Sequence, residues 1–273
     1  MLQYSDKNGA NKIYGLLLNC RLISLKMKTI LVTCLILILS LNFMNTPEKT
    51  PTGEEIIQLM HTKWEGKWGR NMRFDQNVYH YKNDSLIRQE VWQEILSSPK
   101  NLQIRFNGFE SGNGILFKND SVYHFEDGKL VRSEDSVHHL LLLGFDVFFL
   151  PPAETIQKLK DLGFDLSKTH EKTINSITYF IVGTGSPEDE NSSQFWINKK
   201  QLYLAKVILN RNENTSEVEM KNYRLLENFP VAMEVDFKSN GKLYMKEKYF
   251  DVSFPAEVNQ EIFDPKSFNK FRW

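Results

Sequence analysis

From Met72 onward the chain alternates apolar and polar residues with a period of two, punctuated by two-residue turn signals. That pattern restricts the fold to antiparallel sheet, because only a pleated strand sends successive side chains to opposite faces. Met72 and Phe74 alternate with charged residues, and Val91-Trp92 sits within an apolar-rich stretch at 86–96. Leu102, Ile104 and Phe106 alternate with Gln103 and Arg105. Residues 115–118, then Asn119-Asp120, then 121–125 read as a hairpin, and Asp127-Gly128 starts another toward Leu130-Val131. Strand signals resume at 169–173, 177–182, 193–198, 202–209, 218–224, 231–238 and 242–250, with Asn240-Gly241 turning the last two. Roughly ten or eleven strands joined by short turns are expected. The 19 Phe, 10 Tyr and 5 Trp suit such sheets. Successive short hairpins predict a mainly β fold, one large curled antiparallel sheet forming an incomplete barrel.

Two segments break the pattern. Thr52-x-x-Glu55 reads as a capping box, and Ile56, Ile57, Met60 and Trp64 follow at helical spacing, so an amphipathic helix precedes the strands. Residues 137–150 read VHHLLLLGFDVFFL and stop at Pro151-Pro152. A short helix is predicted over 153–162, with Gly163 as its C′ residue. This helical insert divides the strands into two sets.

Residues 1–45 read as targeting sequence rather than fold. Lys26 and Lys28 precede an apolar run at 30–41. A positive flank with a short apolar core is the secretory pattern, and a membrane span needs about 20 apolar residues. The alternative is an uncleaved N-terminal anchor. Met27-Lys28 resembles a natural start, which makes 1–26 an upstream extension. Residues 46–52 form a Pro/Thr-containing linker, and 53–273 are expected to be a single domain in the periplasm. Cys20 and Cys34 are the only cysteines, so the exported domain has no disulfide, thiolate metal site or thiol chemistry. Residues 1–45 contain five of the 34 basic and one of the 34 acidic residues, leaving 29 against 33, a net of −4. No basic block remains to bind nucleic acid.

Catalytic signatures are missing from the sequence. His138-His139 lacks a third ligand at suitable spacing, and His170-Glu171 sits in a strand, where neighbours face opposite ways. Gly183-Thr184-Gly185 precedes a Pro/acidic loop rather than joining a strand to a helix, so it is no phosphate cradle. G-x-S-x-G, H-E-x-x-H and paired-acid patterns do not occur. The expectation is a non-enzymatic protein with no catalytic residues, no metal and no cofactor.

The insert is the informative feature. It reads either as an ordinary buried core helix or as a lid over an apolar cavity, which a wide curled sheet can enclose. On the second reading the lid contributes Leu141, Leu142, Phe145, Phe148 and Phe149, and the sheet contributes Trp92, Phe106, Phe117, Tyr123 and Trp196. Each methylene of an acyl chain is worth about 0.8 kcal/mol when buried, so a chain of ordinary length costs on the order of 10 kcal/mol to hold in water. Moving one through water calls for such a cavity.

The order of elements resembles the LolA/LolB-like lipoprotein carriers, including the outer-membrane lipoprotein-sorting proteins of Bacteroidetes. The resemblance spans most of 52–268. It rests on the first helix at 54–64, the strand at 92–96 leading to Pro99-Lys100-Asn101-Leu102, and the hairpin at 115–125. It continues with the insert at 137–162, Gln194-Phe195-Trp196-Ile197, and Phe263-Asp264-Pro265. It implies an incomplete barrel with a helical lid, acyl chains of lipoproteins or lipids as ligands, inner- and outer-membrane sorting components as partners, and a monomer. Enterobacterial members carry an arginine directly before the Pro-Asn turn; Ser98 stands there, so that residue's role is not carried over. A lipid-binding envelope sensor on the same fold is the alternative reading.

Overall fold

The computed structural model describes residues 49–189, 192–211 and 214–273. The segment 1–45 and its export reading lie outside them. In the unit Thr50–Trp273 the first helix, α1 (Gly53–Trp64), starts at the expected capping box. Thr52 N donates to Glu55 Oε2 at 2.7 Å, and Glu55 N donates to Thr52 Oγ1 at 3.2 Å. Ile56, Ile57, Met60 and Trp64 form its buried face. Gly53 is required where it stands: a Cβ would lie 2.6 Å from Val182 Cγ1 and 2.9 Å from Leu166 O.

Among the described residues fifteen strands follow, all antiparallel. They are β1 (Asn71–Lys82), β2 (Ser85–Ser97), β3 (Asn101–Phe106), β4 (Gly114–Lys118), β5 (Ser121–Glu126) and β6 (Lys129–Asp135), then, after the insert, β7 (Thr169–Ile174), β8 (Ile177–Val182) and β9 (Gln194–Asn198). β10 (Leu204–Arg211), β11 (Asn214–Lys221), β12 (Arg224–Leu226), β13 (Phe229–Val231), β14 (Glu234–Ser239) and β15 (Lys242–Ser253) complete the set. Thirteen form one sheet in the order β6-β5-β4-β3-β2-β1-β15-β14-β11-β10-β9-β8-β7, and β12 pairs with β13. The ends of the sheet, β6 and β7, are not paired with each other, so the curl stops short of a barrel. Register shifts in β1, β5, β10 and β14 mark bulges, which bend strands and sharpen their twist.

The sheet has thirteen strands against an expected ten or eleven, and β6 is the one with the weakest alternating signal. All seven of its residues are exposed, so neither face imposes a pattern. The two-residue turns explain the tight connections. Asn83-Asp84, Asn119-Asp120, Asp127-Gly128, Asn175-Ser176, Glu227-Asn228 and Asn240-Gly241 all have both φ angles positive, the twist-matched hairpin turn.

The inner face of the sheet meets α1 and the insert in one core, where Trp68 stacks on Phe148 at 4.1 Å. The insert consists of α2 (His139–Gly144), a 3-10 turn (Asp146–Phe148) and α3 (Pro152–Asp161). Gly163, with φ 92°, follows α3 as its C′ residue. A smaller core lies on the outer face, where Ile262, Phe263 and Phe268 of the C-terminal segment pack on Ile95, Leu116 and Phe125. Gly114 makes room there, since a Cβ would lie 2.9 Å from Phe268 Cζ. Phe268 stacks on Phe125 at 3.8 Å, and the Arg105 guanidinium lies 3.6 Å from its ring.

Among the described residues no helix is long and apolar enough to cross a membrane.

Candidate functional site

Where α2 passes over the sheet, the inner face leaves a cavity of about 250 Å³. Its sheet wall includes Phe74, Trp92, Leu102, Ile104, Phe106 and Phe117, and α2 with its flanks supplies His138, Leu140, Leu141 and Phe145. Trp92 and Phe106 are opposite each other in the β2–β3 pairing, with rings 4.4 Å apart. These positions share a wall because period-two alternation puts 102, 104 and 106 on one face of β3.

Five of the ten sequence-nominated residues therefore line the cavity: Trp92, Phe106, Phe117, Leu141 and Phe145. Tyr123 and Trp196 do not. Tyr123 packs with the outer-face core, and Trp196 faces away from its inward neighbours Phe195 and Ile197, with Lys206 Nζ 4.9 Å from its ring. Strand parity decides both placements. Leu142 and Phe148 lie within the main core, and Phe149 lies at its margin with the Arg70 guanidinium 4.9 Å above its ring. One turn of helix cannot aim every apolar side chain at the same cavity.

The histidine pair has a structural part to play. His138 Nδ1 accepts from Leu141 N at 3.0 Å, capping α2. Burial, with the neighbouring His139 charge, depresses His138 to about 3, and burial with Arg211 depresses His139 to about 4. Their rings stack at 5.8 Å. Among the described residues no group of three or more His, Cys, Asp or Glu is placed to hold a metal.

Residues that sequence reasoning missed are the acids. Glu94 and Glu247 line this apolar cavity, and Gln76 Nε2 donates to Glu94 Oε1 at 2.7 Å. Burial, and then the charge of Glu247, push Glu94 well above the usual carboxylate range; burial pushes Glu247 to about 8 against the opposing hydrogen bond from Gln76. Asp146, buried in the insert, accepts from Lys100 N at 3.0 Å, and burial raises it to about 7. The signal for the first two was available: positions 76, 94 and 247 fall on the inward parity of their strands.

These shifts predict a pH dependence. A carboxyl raised on folding stabilises fully below its unfolded value and loses that contribution as pH rises through its folded value. The depressed histidines act oppositely, their contribution being complete above about 6.5 and lost as pH falls. From pH 6.5 to 9 only the acids count, so the ligand-free protein should become less stable. With about 2–4 °C per kcal/mol in a chain of this length, the expected fall in Tm is on the order of 5 °C. Glu94→Gln/Glu247→Gln should remove most of it. Thermal unfolding across this range checks the point, and a flat wild-type profile would refute it.

No protein-family model matches the chain. No curated protein matches it either. Among solved structures, a DUF1329 family protein from Desulfovibrio piger superposes with a TM-score of 0.53 at 10% identity, covering 78% of this chain and 95% of that one. A LolA superfamily protein from Nitrosomonas europaea gives 0.49 at 10% identity, covering 79% and 98%. At this identity what the chain shares with the Desulfovibrio piger protein is the fold alone, an open, curled antiparallel sheet.

Proposed function

We propose that the protein is a non-enzymatic periplasmic carrier that shields acyl chains of lipoproteins or lipids on their way to the outer membrane. The observation behind this reading is the apolar cavity walled by both the sheet and α2. At roughly 30 Å³ per methylene-sized group, 250 Å³ holds about eight such groups. At about 0.8 kcal/mol each, their burial supplies on the order of 6 kcal/mol, enough to retain a chain and still release it. A longer chain requires α2 to move, which suits a lid. The resemblance to lipoprotein carriers points the same way.

A second reading, an envelope sensor, draws on the fully exposed edge strand β6, where Leu130 and Val131 are about half exposed. An open edge is a template for strand addition by a partner.

Native mass spectrometry of protein purified from the envelope fraction separates the two. A carrier should show a non-covalent lipid adduct and bind an apolar dye that added lipid displaces. A single ligand-free mass with no dye uptake would refute the carrier reading.

A further inference from the structure

The cavity wall is interrupted by Glu94 of β2 and Glu247 of β15, and Gln76 stands on β1, the strand between them. Phe74 pairs with Glu94 and Val78 with Glu247, so Gln76 stands one diagonal step from each acid. Gln76, Glu94 and Glu247 are 0%, 6% and 7% exposed. The Gln76 amide nitrogen donates to Glu94 Oε1 at 2.7 Å, while its carbonyl oxygen Oε1 is buried without a hydrogen-bond partner.

The sheet treats its other half-buried acids differently. Glu217 is met by Lys206 and Lys238, Asp236 by Lys221 and Lys246, and Glu234 by Lys246. Among the described residues no basic side chain approaches Glu94 or Glu247; the charged neighbour that acts on Glu94 is Glu247 itself. The ionised cluster offers only acceptors: two carboxylates and one orphaned amide oxygen. An ammonium is its complement, with three N–H donors and no acceptor. Removing one partner from a buried charge pair is costly, and here the cationic partner is missing from the chain.

We infer that the cavity takes an amphiphile bearing a primary ammonium next to its alkyl chain, the nitrogen held by Glu94, Glu247 and Gln76 Oε1. This rests on the cavity being a ligand site. The raised proton affinity of both acids describes the empty state: protons neutralise them until a cation replaces the protons. A purely apolar chain would leave the Gln76 oxygen unpaired.

Decylamine and decan-1-ol differ at the head group and match in chain, so they test the inference by displacement of an apolar dye at neutral pH. The wild-type protein should bind the amine at least tenfold more tightly than the alcohol. In Glu94→Gln/Glu247→Gln that ratio should collapse to within twofold, with thermal unfolding confirming a folded variant. Equal affinities in the wild type would overturn the inference and leave the carrier reading intact. Failure of both probes to bind would overturn the two together. An amine preference that survives in the double variant, or in the single variants should the double one not fold, would overturn the assignment to these acids.

Discussion

Phe148→Asp should abolish cooperative folding, whereas Leu140→Asp should leave the protein folded and unable to bind an apolar ligand. The two residues belong to one insert, yet their surroundings differ. Phe148 is 1% exposed, stacked on Trp68, which in turn contacts Trp64 and Phe229. Deleting a buried phenylalanine costs about 3–5 kcal/mol, and an unpaired buried carboxylate adds to that. Total stability in such domains is about 5–15 kcal/mol, so this one change removes a large share. Leu140 is half-buried and borders the cavity, so a carboxylate there is only partly withdrawn from solvent. Its cost should be about 1 kcal/mol, a few degrees of Tm, while affinity for the dye falls at least tenfold. Thermal unfolding and dye titration on both variants give the answer. A normally folded Phe148→Asp would show that the turn at 146–148 is not core. A Leu140→Asp variant with full affinity would show that α2 is not a wall of the binding site.

Within the insert, placement differs residue by residue. Leu142, Leu143, Val147 and Phe148 are core, while Leu140 and Phe145 border the cavity and Leu141 contributes to both. No periodicity could separate them, because VHHLLLLGFDVFFL is apolar on every side and folds as one helical turn plus a 3-10 turn. Elsewhere the pattern was legible where a face is buried and a turn has a strict backbone requirement. Thr52-x-x-Glu55, Asn240-Gly241 and the alternation of Leu102, Ile104 and Phe106 all correspond to observed elements. Glu227-Asn228 adopts the same turn with residues that do not advertise it. Tyr123 and Trp196 are expected among the cavity residues, and parity sends both to the other face. Glu94 was passed over because a lone acid in a strand reads as solvent-facing, although its neighbours Trp92 and Leu96 share its inward parity.

The alternation in β3 also implies that Gln103 and Arg105 face water, and they do not: they are 0% and 1% exposed. The C-terminal segment lies over them, with Arg105 Nη1 donating to Asn269 Oδ1 at 2.7 Å and its guanidinium resting on Phe268. Burial without a carboxylate partner lowers Arg105 to about 10. Ending the chain after Asn259 should therefore expose a polar row together with Ile95, Leu116 and Phe125. It also removes Ile262, Phe263 and Phe268, each buried and each worth about 1.5–3 kcal/mol. The summed loss is on the order of 5 kcal/mol or more, or roughly 15 °C in Tm. The newly bared apolar patch should make the shortened protein self-associate. Because this strap covers the outer face and the cavity lies on the inner one, dye affinity well below the lowered Tm should stay within about threefold of wild type, a shift under 1 kcal/mol. Unfolding curves, sedimentation and dye titration on the shortened chain test all three statements. An unchanged Tm would show that the strap is not part of the folded unit. A lost affinity in a protein still folded would show that the two faces of the sheet are coupled, against the separation of cores described here.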